Sequence, residues 1–188
     1  MSVPDRSTQT SGIVGGAAGG AVAYVLGYLV VYVTQSNRIE ETLSGINFFA
    51  GLFGGDPIPI WKATGWMFYN AHFVDTVFQI GGGESRNFIM EADGGSVALL
   101  YVLPPLLLLV AGVVAGRAVG ASDPAEGAKA GAFVLAGYLP LAVIGAFLFR
   151  YAGGEAAPDV ITAVLLAGAV YPAVFGAIGG AVSSLLSD

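Results

Sequence analysis

One short segment of the chain collects the side chains that could do chemistry. They are Asn70, His72, Asp75, Thr76 and Gln79, and the last four follow a spacing of i, i+3, i+4 and i+7. On a helix this spacing predicts one shared face, with an imidazole beside a carboxylate. Such a pair can contact a cation or hold a proton. We therefore expect His72, the single histidine of the chain, to titrate near its ordinary pKa of about 6.5 or above it.

The same residues have a plainer interpretation, and several other kinds of site are absent from the sequence. The stripe could be only the polar side of an amphipathic helix, wetted by water or lipid headgroups. Two ligands are too few for a specific metal site, and a chain without cysteine offers no thiolate. No P-loop, H-E-x-x-H or G-x-S-x-G motif occurs. We expect no enzyme, no catalytic residue, no bound metal and no cofactor.

The element that must position the stripe lies in the long connection between Thr34 and Gly95. Breakers at Gly54–Pro57 and Gly81–Gly83 enclose an aromatic segment. This pattern predicts an amphipathic helix over residues 58–80. Polar side chains near its middle make a full membrane crossing costly. We therefore favour an interfacial or re-entrant placement over a fifth span.

Four long apolar stretches define the rest of the architecture. The chain of 188 residues is 55% hydrophobic and only 11% charged, whereas soluble domains carry about 25% charged residues. The stretches cover residues 12–33, 96–119, 129–149 and 160–186, each near the length of about 20 residues that crosses a bilayer. The sequence predicts one domain over residues 1–188, an all-α integral membrane bundle of four transmembrane helices.

Glycine and proline occur at spacings that bear on how the spans pack. Pairs of glycines four residues apart, which let membrane helices approach closely, are Gly15/Gly19, Gly16/Gly20, Gly112/Gly116, Gly116/Gly120, Gly127/Gly131 and Gly176/Gly180. Prolines predict kinks, and they stand inside three of the spans at Pro104, Pro105, Pro140 and Pro172. Kinked helices can line a translocation path, although proline is frequent in membrane helices of every function.

The charge distribution bears on location and partners. Thirteen acidic residues stand against seven basic ones, for a net charge of −6. The absence of a basic patch disfavours nucleic acid as a partner, and the acid excess fits a high-salt environment. Arg6, Arg117 and Lys129 flank the spans on one side. The positive-inside rule therefore favours a multi-pass protein of the cell membrane with both termini in the cytoplasm.

The segment Gly65–Val74, GWMFYNAHFV, lies between a glycine-rich first span and a proline-bearing second span. In this segment and this order of spans, the chain resembles a family of small polytopic membrane proteins of halophilic archaea, some of which carry a transporter label. The resemblance implies a membrane location and a halophilic source. It brings no catalytic or binding residues with it.

Two functions remain open from the sequence. The first is a transporter-like or pore-like protein that moves a small solute or ion without an ATPase of its own. The alternative is a non-transporting scaffold or assembly subunit of a larger complex, which the glycine pairs suit equally well. For either function we expect the lipid bilayer as surroundings and either a homo-oligomer or a membrane-protein partner.

Overall fold

Four long apolar helices dominate the computed structural model, which describes residues 6–79, 83–92, 95–152 and 155–186. By length and composition, each could cross a membrane: Gly12–Leu52, Gly95–Ala118, Pro124–Leu148 and Val160–Leu185. The predicted membrane-type bundle of four apolar helices is confirmed. We refer to these helices below as the first to fourth spans.

The elements within and between the spans are as follows. The helices are α1 (Arg6–Leu52), α2 (Ile60–Asn70), α3 (Leu103–Ala118), α4 (Pro124–Ala132), α5 (Val134–Leu148), α6 (Val160–Thr162) and α7 (Tyr171–Leu185). A 3₁₀ segment, Gly95–Val102, leads into α3, and a π-helical segment, Ala163–Val170, joins α6 to α7. Three short strands, β1 (Thr76–Phe78), β2 (Glu84–Arg86) and β3 (Ala156–Pro158), form an antiparallel sheet in the order β2-β1-β3. The all-α prediction missed this sheet, because three-residue strands leave no readable alternation.

The first helix is much longer than the predicted span over residues 12–33. It has 47 residues, which at 1.5 Å per residue is about 70 Å, more than twice the hydrocarbon thickness of a bilayer. The stretch after Val33 is polar, but it contains good helix formers such as Arg38, Glu40 and Glu41. Nothing in the sequence therefore stops the helix where the apolar stretch stops.

A seam of glycines joins α3, α4 and α7. A methyl group added at Gly112 or Gly131 would lie 2.2 or 2.0 Å from the carbonyl oxygen of Gly176. One added at Gly127 would lie 2.1 Å from the carbonyl oxygen of Gly180. The three backbones are therefore in direct contact, as the small-residue spacing predicts. By contrast, nothing lies within 4 Å of such a methyl group at Gly15.

In the second and fourth spans, prolines lie where the helical hydrogen bonding changes. Pro104 stands in the first turn of α3, directly after the 3₁₀ segment, and Pro172 stands in the first turn of α7, directly after the π-helical segment. Pro140 lies inside α5. Proline has no N–H to donate to the preceding turn, so the second and fourth spans are irregular before their prolines and regular after them.

The amphipathic helix predicted over residues 58–80 does not form. Helix α2 ends at Asn70, and all its residues from Ala63 onward are buried, so it has no wet face. A turn follows, in which Phe73 adopts a φ of +58°, a left-handed conformation that interrupts a helix. The chain then enters β1.

Candidate functional site: a buried histidine at the centre of the bundle

Helix α2 packs against α1, and its side chains reach α5 and the residues that follow α5. Near its start, the ammonium group of Lys62 donates to the carbonyl of Arg150, and Trp66 Nε1 donates to the carbonyl of Phe149 at 2.8 Å. Near its end, the Tyr69 hydroxyl donates to the carbonyl of Ala142, two turns earlier in α5. Strand β1 then pairs with β3, which follows α5 in the chain. The segment therefore enters and leaves the bundle at the same end.

His72, in the turn after α2, is fully buried and uses both ring nitrogens. Its Nδ1 lies 2.9 Å from the carbonyl oxygen of Phe68, and its Nε2 lies 2.6 Å from the Tyr138 hydroxyl. A carbonyl oxygen can only accept, so Nδ1 must carry the proton. Burial favours the neutral imidazole, in which Nε2 can only accept, so Tyr138 donates its hydroxyl proton to Nε2.

Aromatic rings surround the imidazole. The ring centroids of Phe68, Tyr171 and Tyr138 lie 4.9, 5.1 and 5.9 Å from that of His72. Tyr138 and Tyr171 stand near the middle of the third and fourth spans, so His72 reaches the centre of the bundle. Burial lowers the pKa of His72 to about 4, against the ordinary or raised value expected from the sequence.

A second pair of hydroxyl groups connects α1 to this site. The hydroxyls of Tyr24 and Tyr69 lie 3.2 Å apart. The Tyr69 hydroxyl donates its hydrogen bond to the carbonyl of Ala142, so Tyr24 is the donor in the pair of hydroxyls. The Tyr24 ring also packs edge-on against Tyr138, with centroids 5.2 Å apart. We call Tyr24, Phe68, Tyr69, His72, Tyr138 and Tyr171 the aromatic cluster.

Asn70 and Thr76 hold the turn that presents His72. Both are fully buried. The Asn70 amide donates to the carbonyl of Val74 at 2.8 Å, and its side-chain oxygen accepts from the N–H of Phe88 at 2.9 Å. The same amide lies 3.4 Å from the Thr76 hydroxyl. These contacts close the turn and tie it to the chain after β2.

The other two predicted residues lie apart from His72. Asp75 is half-buried, and its main-chain carbonyl accepts from the N–H of Asp159 at 2.9 Å. Gln79 is exposed beyond the end of β1. The five residues do not share a face because the helix ends at Asn70, where the 3.6-residue period stops applying. The interpretation of His72 and Asp75 as a helical pair is therefore wrong.

Sequence reasoning missed Tyr138, the hydroxyl partner of His72. A signal was present, because a tyrosine inside an apolar span must find a hydrogen-bond partner for its hydroxyl. Tyr138 and Tyr171 are such residues, and each stands shortly before a proline. What the sequence could not supply was the pairing, which joins residues 66 positions apart.

The chemistry of the cluster is that of phenol hydroxyls, one imidazole and aromatic faces. Among the described residues, no group of three or more histidine or acidic side chains lies close enough to share a metal ion. Aromatic faces attract cations, and neutral hydroxyl and imidazole groups can exchange hydrogen bonds with a polar solute. The arrangement is suited to contact with a small cation or a neutral polar molecule.

Comparison with known proteins gives a single finding. The family model of DUF7978, a family of unknown function, matches residues 2–187, so the chain belongs to this family. No curated protein matches the chain. No solved structure matches it either.

Proposed function

We propose that this member of the DUF7978 family is a small transporter-like protein of the cell membrane, which moves a small cation or neutral polar solute without hydrolysing ATP. The observation that carries the proposal is the position of His72. The segment Ile58–Phe78 enters and leaves the bundle at one end and brings this ionisable residue to the middle of the spans. Irregular backbone at membrane depth is tolerated where it is enclosed by protein or lines a cavity. A buried ionisable residue there costs stability, and its presence favours a functional role.

The described conformation corresponds to a closed state under this proposal. Tyr69, His72 and Tyr138 are each at most 1% exposed and pack ring against ring. A solute reaches the cluster only if these rings separate. It then replaces the hydrogen bond between Tyr138 and His72 with its own and faces the tyrosine rings. A cation or a neutral solute is favoured over an anion, because ring faces carry negative potential.

The irregular parts of two spans provide the means of opening. Tyr171, which packs against His72, is the first residue after the π-helical segment Ala163–Val170. Phe73 stacks on Tyr101 of the 3₁₀ segment, with ring centroids 4.4 Å apart. Broken helices beside a mid-membrane site are typical of transporters. We therefore infer that these two segments change their hydrogen bonding when the aromatic cluster opens.

Flux measurements on the purified protein test the proposal. Proteoliposomes that contain only this protein are assayed with a panel of monovalent cations, amines, amino acids and sugars. We expect flux of at least one cation or neutral polar solute. His72→Phe and Tyr138→Phe keep a ring in place and remove the exchangeable hydrogen bond, so each is expected to lower the flux about tenfold or more, as the loss of about 1.4 kcal/mol would.

The matched control is Tyr32→Phe, because Tyr32 is an exposed tyrosine on α1 outside the aromatic cluster. Its flux is expected to equal that of the wild-type protein. Absence of flux for the whole panel contradicts the proposal. Equal flux in wild-type, His72→Phe and Tyr138→Phe proteins also contradicts it, provided that all three proteins are folded.

The orientation and source of the protein form part of the same proposal. We infer that both termini lie in the cytoplasm, because Arg117 and Lys129 flank the short connection between the second and third spans. The excess of 13 acidic over 7 basic residues supports a halophilic source, where acidic residues keep surfaces hydrated. Activity in liposomes is therefore best measured at high as well as low salt.

A second candidate function, assembly with another membrane protein or a second copy of the chain, is favoured by the C-terminal end of α1 and the residue that follows it. Apolar side chains there are largely exposed, at 53–88%: Ile46, Phe48, Phe49, Leu52 and Phe53. The double substitution Phe48→Ser and Phe49→Ser tests it. Loss of an oligomer or of a stoichiometric partner, with no flux in any protein, favours assembly over transport.

A further inference from the structure

A cavity separate from the aromatic cluster lies between α1, α2 and the chain that leads into the second span. Its volume is about 220 Å³. The walls are mostly apolar, and the main contributors are Ile39, Leu43, Trp66, Met67, Phe88 and Val97. A cavity of about 150 Å³ with apolar walls is large enough to take up benzene. This cavity therefore has room for a short length of hydrocarbon.

The mouth of the cavity carries three polar side chains: Arg38, Thr42 and Glu91. The Thr42 hydroxyl donates to the carbonyl of Arg38 at 2.8 Å. Glu91 lies 3.8 Å from the guanidinium of Arg86, which also lies 3.5 Å from Glu84, so Arg86 compensates only part of the charge of Glu91. Arg38 is exposed. Both ion pairs in the described part of the chain are formed by Arg86, so Arg38 forms none there. The guanidinium of Arg38 is thus available to an anion from outside.

The position of the mouth relative to the apolar spans indicates what that anion is. Val97 lies at the start of the second span. Arg38 stands five residues after the apolar stretch that ends at Val33, about 8 Å further along the helix. The headgroup layer extends about 5–8 Å beyond the hydrocarbon on each side of a bilayer. The cavity therefore opens at the level of the lipid headgroups.

We propose that this cavity is a binding site for an anionic membrane lipid. The upper part of a hydrocarbon chain fills the space beside Trp66, and the phosphate of the headgroup contacts Arg38. The exposed guanidinium of Arg38 favours an anionic headgroup, because the phosphate of a zwitterionic headgroup is already accompanied by an ammonium group. The apolar walls select a lipid over a free phosphate ion. The site does not depend on the transport function proposed for His72.

Fluorescence quenching of Trp66 tests the site directly. The chain has two tryptophans, so Trp61→Phe leaves Trp66 as the only emitter. The protein is placed in zwitterionic bilayers that contain a small fraction of lipid brominated on the upper part of its chains, either phosphatidylglycerol or phosphatidylcholine. We expect about fivefold stronger quenching by the anionic lipid at equal fraction, since one arginine near anionic lipid contributes about that much to binding.

Three variants in the Trp61→Phe background separate a site from general exposure to lipid. Arg38→Gln is expected to abolish the preference for the anionic lipid, and Arg38→Lys is expected to retain most of it. Arg117→Gln is the matched control, because Arg117 is an exposed arginine at the other end of the second span. It is expected to leave the preference unchanged. Ala63→Leu adds bulk to the cavity wall and is expected to reduce quenching by both lipids.

Three results would overturn the proposal. The first is equal quenching by the two brominated lipids, and the second is an unchanged preference in Arg38→Gln. Both would mean that Trp66 senses the bilayer without a selective site. The third is displacement of the brominated phosphatidylglycerol by an equal amount of a fatty acid, which would assign the cavity to a single-chain amphiphile instead of a membrane lipid. Because the readout is Trp66 fluorescence, an absence of solute flux would not affect the result.

Discussion

The glycine seam and the aromatic cluster are packed in opposite ways. Where α3, α4 and α7 meet, glycines bring backbone against backbone, with no side chain between Gly131 and Gly176. Where α1, α2 and α5 meet, large aromatic side chains fill the space, and their polar ends reach main-chain carbonyls or one another. The glycine seam depends on close van der Waals contact. The aromatic cluster depends on hydrogen bonds, so it offers groups that can exchange partners with a solute.

The largest expected effect comes from bulk in the glycine seam. Gly131→Leu places a side chain where even a methyl group would lie 2.0 Å from the carbonyl oxygen of Gly176. We expect α4 and α7 to separate, with a loss of about 3 kcal/mol or more in the free energy of unfolding. Steric trapping in bicelles measures this loss.

Gly15→Ala is the control for this prediction. Gly15 is also helical, but the space around it is open. Replacing it with alanine is expected to leave stability unchanged or to raise it by up to about 1 kcal/mol. An equal loss of stability in Gly131→Leu and Gly15→Ala would contradict the packing described for the seam.

The second prediction concerns pH and the aromatic cluster. Burial lowers the pKa of His72 from 6.5 to about 4, so between these values the unfolded chain binds a proton that the folded chain excludes. The contribution of His72 to the free energy of unfolding is therefore fully present above about pH 7, and it is lost as the pH falls from 6.5 to 4. The total loss is about 3 kcal/mol. It is obtained as the difference between wild-type and His72→Phe unfolding free energies at each pH. A difference that does not vary with pH would mean that His72 is not buried.

The third prediction separates the partner seen in the structure from the partner expected from the sequence. Tyr138→Phe leaves Nε2 of His72 buried without a donor, which costs about 1–3 kcal/mol. In a double-mutant cycle, His72→Phe and Tyr138→Phe should therefore couple by at least about 0.5 kcal/mol. Unfolding free energies of the four proteins in the cycle measure the coupling, and additive losses would contradict the hydrogen bond.

The smallest expected effect is at Asp75. Asp75→Asn changes a half-buried side chain that makes no hydrogen bond with His72 in the described structure. We expect a change within about 0.5 kcal/mol and additivity with His72→Gln, measured by the same unfolding assay. Coupling between these two variants would restore the pairing inferred from the helical spacing.

The glycine seam and the aromatic cluster also differ in how far the sequence predicts them. Gly127, Gly131, Gly176 and Gly180 lie at intervals of four residues, and the seam that they form follows the same spacing in the structure. The seam can be predicted from the sequence because the spacing of small residues is a property of one regular helix. The four apolar helices are readable for the same reason, since length and composition are local properties.

The sequence predicts the aromatic cluster only in part. The sequence predicts polar side chains in the segment around His72 and favours an interfacial or re-entrant placement over a fifth span. The helical period does not apply through residue 80, because Phe73 adopts a left-handed conformation and β1 begins at Thr76. The partner of His72 lies on another span, and pairings between distant residues leave no pattern within a window of sequence.

The central claim is that the segment around His72 enters and leaves the bundle at one end, and cysteine accessibility tests it most directly. The chain has no cysteine, so each introduced cysteine is the single reactive thiol. Exposed serines lie at the two ends of the bundle, Ser44 and Ser85 at one end and Ser122 at the other, and a serine-to-cysteine change is nearly isosteric. With a membrane-impermeant maleimide on intact cells, we expect Ser44→Cys and Ser85→Cys to react from outside. Ser122→Cys should react only after the membrane is opened. Labelling of Ser44→Cys and Ser85→Cys from opposite sides would mean that the segment crosses the membrane, and it would contradict the account.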